Sequence, residues 1–95
     1  MGKLSDKFSK MAVEDIPQHV KSKDDFVEFL YMLVEDFKNH SEEWENQDLE
    51  NYLEGLYGSA YDIEGYYKFK KEKVDFDKPT WEMFSRIFLS ARVYE

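Results

Sequence analysis

Apolar residues recur with the spacing of an α-helix in three separate stretches, and this repetition limits the fold more than any other feature of the chain. The clearest stripe comprises Phe26, Phe29, Leu30, Leu33 and Phe37. The second comprises Leu49, Tyr52, Leu53, Leu56, Ala60 and Ile63, and the third comprises Trp81, Phe84, Ile87, Phe88 and Ala91. Residues three and four positions apart share one face of a helix. The sequence therefore predicts an all-α fold, a compact bundle of three main helices.

Polar residues beside the stripes predict where the helices begin. Ser22 precedes the first stripe and can accept a hydrogen bond from the first turn of the helix. Either Asn46 or Asp48 can cap the second helix in the same way, and Thr80 can cap the third. Each helix therefore has a capping residue at the expected place.

Glycines are the weak point of the second helix. We place Gly55 and Gly58 on its far side, where each costs about 1 kcal/mol relative to Ala. We expect the helix to continue to about Glu64 and to end at Gly65 in the left-handed conformation. A break near Gly58 is the main alternative.

One core is expected to join the three stripes. Its predicted members are Phe29, Leu33, Leu53, Leu56, Trp81, Phe84 and Phe88. The last helix has the widest apolar arc, so we expect it to be the most buried. Glu28 and Glu35 lie opposite the first stripe and are expected to form the polar face of that helix.

The chain of 95 residues is long enough for one domain. Residues 1–21 are predicted to be a weakly ordered N-terminal segment, and residues 22–95 a single helical domain. Within the segment, the spacing of Leu4, Phe8 and Met11 would allow a short N-terminal helix over Ser5–Ala12, which Pro17 would prevent from continuing.

Composition narrows the classes of function. The chain has no cysteine, which excludes disulfides, thiolate zinc sites and a cysteine nucleophile. The net charge is −8, and between Ser22 and Tyr67 thirteen acidic residues face only Lys23 and Lys38, a balance of −11. Such a surface repels nucleic acid and anionic lipid and attracts basic proteins. No signal peptide or membrane span is visible, so we expect a cytoplasmic protein.

The residues do not form a known catalytic or metal-binding motif. His19 and His40 lack the spacing of a zinc site, and Asp62-x-Glu64-Gly65 lacks the ligands that complete a calcium loop. No nucleophile elbow, phosphate-binding glycine loop or dinucleotide fingerprint is present. We therefore predict no catalytic residue, no metal and no cofactor, which makes an enzyme the less favoured interpretation.

Binding residues are better supported. Glu50, Glu54, Tyr57 and Tyr61 lie on one flank of the second predicted helix, where acids beside tyrosines suit a basic partner. Tyrosines that only border the core would give the same spacing. The loops Trp44-Glu45-Asn46 and Gly65-Tyr66-Tyr67 are expected to serve the fold, with a shared aromatic pocket as the alternative. The further candidate binding residues are Trp44, Asp62 and Tyr66.

From Ser22 onward the chain resembles a bacterial family of small acidic domains of unknown function. The motifs that carry the resemblance are Phe26-x-x-Phe29, Trp44-Glu45-Asn46-x-x-Leu49, Leu53-Glu54, Asp62-x-x-Gly65-Tyr66-Tyr67, Pro79-Thr80-Trp81 and Ala91-Arg92-x-Tyr94-Glu95. The resemblance implies a compact domain and no particular mechanism. The chain departs from the pattern at Gly55-Leu56-Tyr57-Gly58, where relatives favour helix more strongly.

Three functions follow, in order of preference. The first is a small cytoplasmic acidic binding protein, an inhibitor or immunity-type partner of a basic protein. The second is an enzyme of unknown reaction with a loop-lined cleft near Trp44, Asn46, Asp62 and Tyr66. The third is a structural or oligomerisation module, since the oligomeric state does not follow from the sequence.

Overall fold

The computed structural model describes residues 7–94, and every regular element among them is helical. The α-helices within this range are α1 (Lys23–His40), α2 (Leu49–Tyr61), α3 (Ile63–Phe69) and α4 (Trp81–Ser90). Short 3-10 helices at Val13–Asp15, Pro17–His19 and Ser41–Glu43 precede and follow α1. The prediction of an all-α bundle is confirmed.

The first and last main helices begin at the predicted capping residues. The hydroxyl oxygen of Ser22 accepts a hydrogen bond from the Asp25 backbone N–H at 3.2 Å, at the start of α1. The hydroxyl oxygen of Thr80 accepts one from the Met83 backbone N–H at 3.1 Å, at the start of α4. Each cap satisfies a backbone donor that has no partner within its own helix.

Asp48, and not Asn46, caps α2. An Asp48 carboxylate oxygen accepts a hydrogen bond from the Asn51 backbone N–H at 2.8 Å. Asn46 instead directs its side-chain amide to backbone carbonyls near the C-terminus. A contact between distant parts of the chain thus decides which of the two possible residues caps α2.

Both glycines of α2 face inward, so their predicted placement on the far side is wrong. Gly55 is buried, and a Cβ atom there would lie 2.6 Å from the carbonyl oxygen of Ala91. A Cβ atom at Gly58 would overlap the ring of Tyr94. The missing side chains let the C-terminal segment approach α2 closely, and the helix continues unbroken through both positions.

The second apolar stripe is divided between two helices rather than contained in one. The division lies at Asp62, where the backbone leaves the helical conformation. Gly65 lies inside α3 without a positive φ, so its predicted role as a left-handed terminator is wrong. Lys71 adopts that conformation instead, with φ of 60°, and the following Glu72 N–H donates to the Tyr67 carbonyl at 3.0 Å.

The main buried cluster is centred on α1 and on the segment before it. Within residues 7–94 it comprises Phe8, Val13, Ile16, Val20, Phe29, Leu33 and Trp44, each at most 7% exposed. Phe29 and Leu33 are predicted core residues, whereas the four residues before α1 are not. Residues 7–21 therefore pack against the bundle, while the division of the chain at residue 22 stays a prediction.

The predicted N-terminal helix is not formed in the part that can be described. Ser5 and Asp6, at its expected start, lie outside the described residues. Residues 7–10 form a turn, and the Met11 backbone N–H donates to the Phe8 carbonyl at 3.1 Å. This turn directs Phe8 into the core, where it is fully buried.

Glu28 shows how the N-terminal segment changes the environment of α1. The sequence predicts that Glu28 belongs to a polar face, yet it is only 4% exposed. Its carboxylate accepts a hydrogen bond from the Phe8 backbone N–H at 2.5 Å. The segment therefore covers this face of α1 and supplies the polar partner that a buried carboxylate requires.

Part of the predicted core is wrong. Leu53, Trp81 and Phe84 are 52%, 39% and 37% exposed, and Leu56 and Phe88 are half-buried. In α4 the buried positions are instead Met83 and Ser85, and Ala91 is buried just after the helix ends. The helix contacts α1, α2 and Pro17–His19 on different sides, so these neighbours, rather than its widest apolar arc, determine which residues are enclosed.

Candidate functional site

Two acids and two tyrosines form an exposed surface along α2, which we call the acid–tyrosine flank (Glu50, Glu54, Tyr57 and Tyr61). Their spacing of four, three and four residues places them on one side of the helix. Tyr57 and Tyr61 are 75% and 78% exposed, and their ring centroids are 6.5 Å apart. Both glutamates are exposed as well. The four side chains thus lie together, as the sequence spacing predicts.

The inward face of α2 determines the direction of this flank. The Ser59 hydroxyl donates to the Ile87 carbonyl at 3.2 Å, and the Tyr52 hydroxyl donates to the Phe88 carbonyl at 2.9 Å. With Gly55 packed against the C-terminal segment, these contacts fix the rotation of α2 against α4. The acid–tyrosine flank is therefore held outward by the contacts on the inner face, and it presents large aromatic surfaces to solvent.

Trp44 is placed differently, because it belongs to the core. It is 7% exposed, and its indole N–H donates to the Asp36 carboxylate at 2.7 Å. The same carboxylate oxygen accepts a hydrogen bond from the Arg92 guanidinium at 3.1 Å. The guanidinium carbon also lies 5.9 Å from the centroid of the indole ring. The indole N–H of Trp44 is therefore already hydrogen-bonded within the protein, and only the ring surface is left to contact a ligand.

Asn46 joins the connector between α1 and α2 to the C-terminal segment. Its side-chain amide donates to the carbonyls of Ala91 and Tyr94, both at 2.8 Å. Its backbone N–H donates to the carbonyl of Arg92 at 2.9 Å. Asn46 thus holds three positions of the segment that follows α4, which is a structural role.

Asp62 and Tyr66 separate into two different environments. Asp62 is exposed and accepts a hydrogen bond from the hydroxyl of Tyr94. Tyr66 packs with its ring centroid 5.1 Å from the Arg86 guanidinium carbon and 5.1 Å from the Tyr67 ring centroid. The structure therefore links Trp44, Asn46 and Asp62 through the C-terminal segment, whereas Tyr66 belongs to the contact between α3 and α4.

Tyr67 anchors this second environment. It is 4% exposed, and burial raises the pKa of its hydroxyl. Beside it, the Arg86 guanidinium donates two hydrogen bonds to one Glu82 carboxylate oxygen, at 3.0 Å and 2.6 Å. These two hydrogen bonds lie within α4 and hold the guanidinium in place, and its packing against the Tyr66 ring joins α3 to α4.

An apolar groove of about 410 Å³ opens between α1, α2 and α4. Its lining comprises Leu30, Leu33, Val34, Phe37, Lys38, Trp44, Tyr52 and Phe88. Burial raises the pKa of Tyr52 to about 12, in keeping with a hydroxyl directed to a backbone carbonyl. The groove therefore presents ring faces and aliphatic carbon, and its one described charge is Lys38.

The sequence did not indicate this groove. Periodicity assigned Phe37 to the core stripe, yet Phe37 is 37% exposed and Val34 is 51% exposed. The spacing of Val27, Tyr31 and Val34 at four and three residues marks a second apolar line on α1, and it could have revealed the surface beside the groove.

Three further observations concern the acidic clusters, the helices and the buried hydroxyls of residues 7–94. Among residues 7–94, no group of three or more histidine, aspartate or glutamate side chains is arranged to hold a metal ion. In the same range, no helix combines the length and the apolar character needed to cross a bilayer. The buried Ser59 and Ser85 hydroxyls donate to backbone carbonyls of Ile87 and Trp81.

Comparison with known proteins assigns the chain to a family. A family of unknown function, DUF7660, matches residues 22–95, which is most of the chain. The chain belongs to this family. No curated protein and no solved structure shows a significant match to it.

The DUF7660 match begins at the capping residue of α1. It therefore contains both the acid–tyrosine flank and the groove, and it excludes the segment that contributes Phe8, Val13, Ile16 and Val20 to the core. In this chain, residues outside the family match thus complete the packing around Glu28.

Proposed function

We propose that this protein is a small acidic binding protein that docks a basic protein on the acid–tyrosine flank of α2. The observation that carries the proposal is the exposure of Tyr57 and Tyr61, 75% and 78%, on a helix whose opposite face is buried. Tyrosine contributes a large contact area and loses little conformational entropy on binding, so exposed pairs are effective anchors.

Charge supports a basic partner. Glu50 and Glu54 precede the two tyrosines along the same face of α2, and neither forms an ion pair within residues 7–94. They belong to the segment between Ser22 and Tyr67 with a balance of −11. Unpaired acids beside exposed aromatic rings favour lysine- and arginine-rich surfaces and accelerate their approach.

The small size and acidity favour the role of an inhibitor or immunity-type partner. A chain of 95 residues can cover a site on a basic protein without contributing chemistry of its own. The absence of cysteine is compatible with a cytoplasmic setting, which is part of the proposal.

The test combines partner capture with a matched pair of variants. The variant E54S/Y57S removes one acid and one tyrosine from the flank, and E72S/F69S removes one acid and one aromatic elsewhere. Phe69 is 83% exposed and Glu72 is exposed, so the control matches in chemistry and accessibility. Wild-type protein and both variants serve as bait in lysate of the native host, and the affinity of each identified basic protein is then measured.

We expect E54S/Y57S to lose the partner while keeping its stability within about 1 kcal/mol, as is typical of surface changes. Loss of an anchoring tyrosine at an interface weakens binding by about 2 kcal/mol or more, roughly thirtyfold. The control should bind like wild type. If both variants bind equally well, the flank is ordinary solvated surface and the proposal fails.

The association rate provides a second criterion. Salt shortens the Debye length to about 8 Å at physiological ionic strength, so a charge-steered rate falls as salt is added. An association rate that does not change with salt would contradict the role assigned to Glu50 and Glu54.

A further inference from the structure

A second exposed line of side chains follows α1, on a face that the core does not use. We call it the outer stripe (Asp24, Val27, Tyr31, Val34 and Lys38). Its members follow one another at three, four, three and four residues. Val27, Tyr31 and Val34 are 36%, 45% and 51% exposed, and the two terminal charges are exposed as well. The stripe is therefore a continuous, accessible apolar line with one charge at each end.

This pattern is unusual for the outside of a helix in an isolated domain. The core face of α1 already buries Phe29 and Leu33, and the solvent side of such a helix is normally polar. Alternation of three and four residues is the spacing with which one helix packs along another. A contiguous exposed apolar surface commonly marks a protein contact.

The ends of the stripe indicate which partner fits. Asp24 lies seven residues before Tyr31 and Lys38 lies seven residues after it, so each is about 10.5 Å from Tyr31 along the helix axis. Within residues 7–94 neither charge forms an ion pair. If two copies of α1 lie antiparallel across a two-fold axis at Tyr31, each Asp24 meets the Lys38 of the other copy.

A parallel arrangement would give the opposite result, because it sets Asp24 against Asp24 and Lys38 against Lys38. The acid–tyrosine flank contains no base, so it cannot match acid with base in either direction: a parallel pairing sets Glu50 and Glu54 against the same acids of the second copy, and an antiparallel pairing sets them against its tyrosines. Of these arrangements, antiparallel pairing of the outer stripe alone matches apolar with apolar and acid with base. Self-complementarity of this kind is what a two-fold interface requires.

We propose that the outer stripe is a homodimer interface in which two copies of α1 pack antiparallel about a two-fold axis near Tyr31. The apolar groove extends this surface, because Val34 and Lys38 belong to both. Phe37, which is 37% exposed, would be covered at the rim of the same contact. The inference does not depend on the acid–tyrosine flank, which lies on α2.

The first experiment measures the oligomeric state by sedimentation velocity over a range of concentrations. Wild type should sediment as a dimer at micromolar concentration or above. Asp24→Lys and Lys38→Glu should each weaken the dimer on the order of tenfold or more, because each creates two like-charge contacts in place of two attractive ones. An equimolar mixture of the two variants should recover the dimer, since each interhelix pair in the mixed dimer again joins an acid to a base.

A second pair of variants tests the apolar part of the outer stripe without changing Asp24 or Lys38. Val34→Lys should abolish the dimer, whereas Leu53→Lys, on α2, should not. The two side chains are 51% and 52% exposed, so the cost to folding should be similar. Circular dichroism identifies any variant that fails to fold. A wild-type monomer at all concentrations, or a dimer broken by Leu53→Lys and not by Val34→Lys, overturns the proposal.

The orientation is tested by cross-linking, because the chain has no cysteine of its own. Tyr31→Cys should form a disulfide-linked dimer under mild oxidation, as the two positions meet on the two-fold axis. Asp24→Cys should not, since the two copies of this position would lie about 21 Å apart along the axis, well beyond disulfide distance. Efficient cross-linking of Asp24→Cys with itself would indicate parallel helices and would refute the arrangement.

Discussion

Replacement of Gly55 by alanine tests the packing of α2 most directly, because helix propensity and tertiary packing predict opposite results. In an isolated helix, Gly→Ala stabilises by about 1 kcal/mol. In this protein a Cβ atom at Gly55 would lie 2.6 Å from the Ala91 carbonyl oxygen and 2.7 Å from the Asn46 amide nitrogen. Both distances are too short for a carbon atom, so the C-terminal segment would have to move.

The cost of that movement follows from the contacts involved. Insertion of a methyl group into a packed region typically costs about 1–3 kcal/mol. Displacement of Asn46 would also strain its hydrogen bonds to Ala91 and Tyr94, each of which contributes about 1 kcal/mol. After subtraction of the gain in helix propensity, Gly55→Ala should destabilise the protein by about 1–3 kcal/mol. For a domain of this size, that lowers the melting temperature by several degrees or more.

The measurement is urea unfolding followed by circular dichroism, with Gly65→Ala as the control. Gly65 lies in α3 without a positive φ, and a Cβ atom added there would meet nothing within 4 Å. Its replacement should therefore stabilise the protein by up to about 1 kcal/mol. The prediction is a change of opposite sign at the two glycines. If Gly55→Ala is as stable as wild type or more stable, the close approach of Ala91 to α2 is incorrect.

Two further predictions concern the core and the response to alkaline pH. Phe29→Ala should lower the free energy of unfolding by about 3–5 kcal/mol because Phe29 is fully buried, whereas Phe84→Ala, at a site 37% exposed, should lower it clearly less. Thermal unfolding of both variants checks this order. Equal losses of stability would contradict it. Burial raises the pKa of Tyr52 from 10.0 to about 12, so the folded state holds the phenolic proton more tightly than the unfolded state. The stability that Tyr52 contributes through this pKa difference is fully present below pH 10 and should be lost as the pH rises through about 12. Urea unfolding across this range should show a weaker pH dependence for Tyr52→Phe than for wild type.

Local signals in the sequence were sufficient to predict where α1 and α4 begin. The caps at Ser22 and Thr80 depend on a side chain and a backbone N–H three residues later, and both form as expected. The acid–tyrosine flank was likewise recognisable, since positions along one helix fix which side chains are neighbours. These features involve residues within a turn or two of each other, which is the distance over which periodicity carries information.

The rotation of α2 and α4 and the burial of Glu28 on α1 could not be predicted, because they depend on distant neighbours. The stripe on α4 correctly marks a helix, yet Trp81 and Phe84 remain exposed while Ser85 is fully buried. Glu28 has the sequence context of a solvated acid, and only the arrival of Phe8 explains its burial. Periodicity gives the relative angle between side chains, whereas the packing partners decide which angle points inward.

The loop residues illustrate the same limit for the candidate site. Asn46 and the C-terminal segment are 45 or more positions apart, so their hydrogen bonds have no local signature. The sequence grouped Trp44, Asp62 and Tyr66 as candidate residues of one loop-lined cleft. Tyr66 instead packs with Arg86, a contact between α3 and α4 that follows from the unforeseen break at Asp62.

The structure also shows that the acidic residues of the chain do not contribute equally to its exposed negative charge. Glu28 is buried against a backbone N–H, and Asp36 is held between the Trp44 indole and the Arg92 guanidinium. The positive charge of Arg92 lies outside the acidic stretch in sequence but beside Asp36 in space, so it cancels much of the field of that carboxylate. Glu50 and Glu54 have no such neighbour among the ion pairs of residues 7–94. The attraction felt by an approaching basic protein should therefore come from exposed acids of this kind rather than from the summed charge of the stretch, which places its source beside the exposed tyrosines.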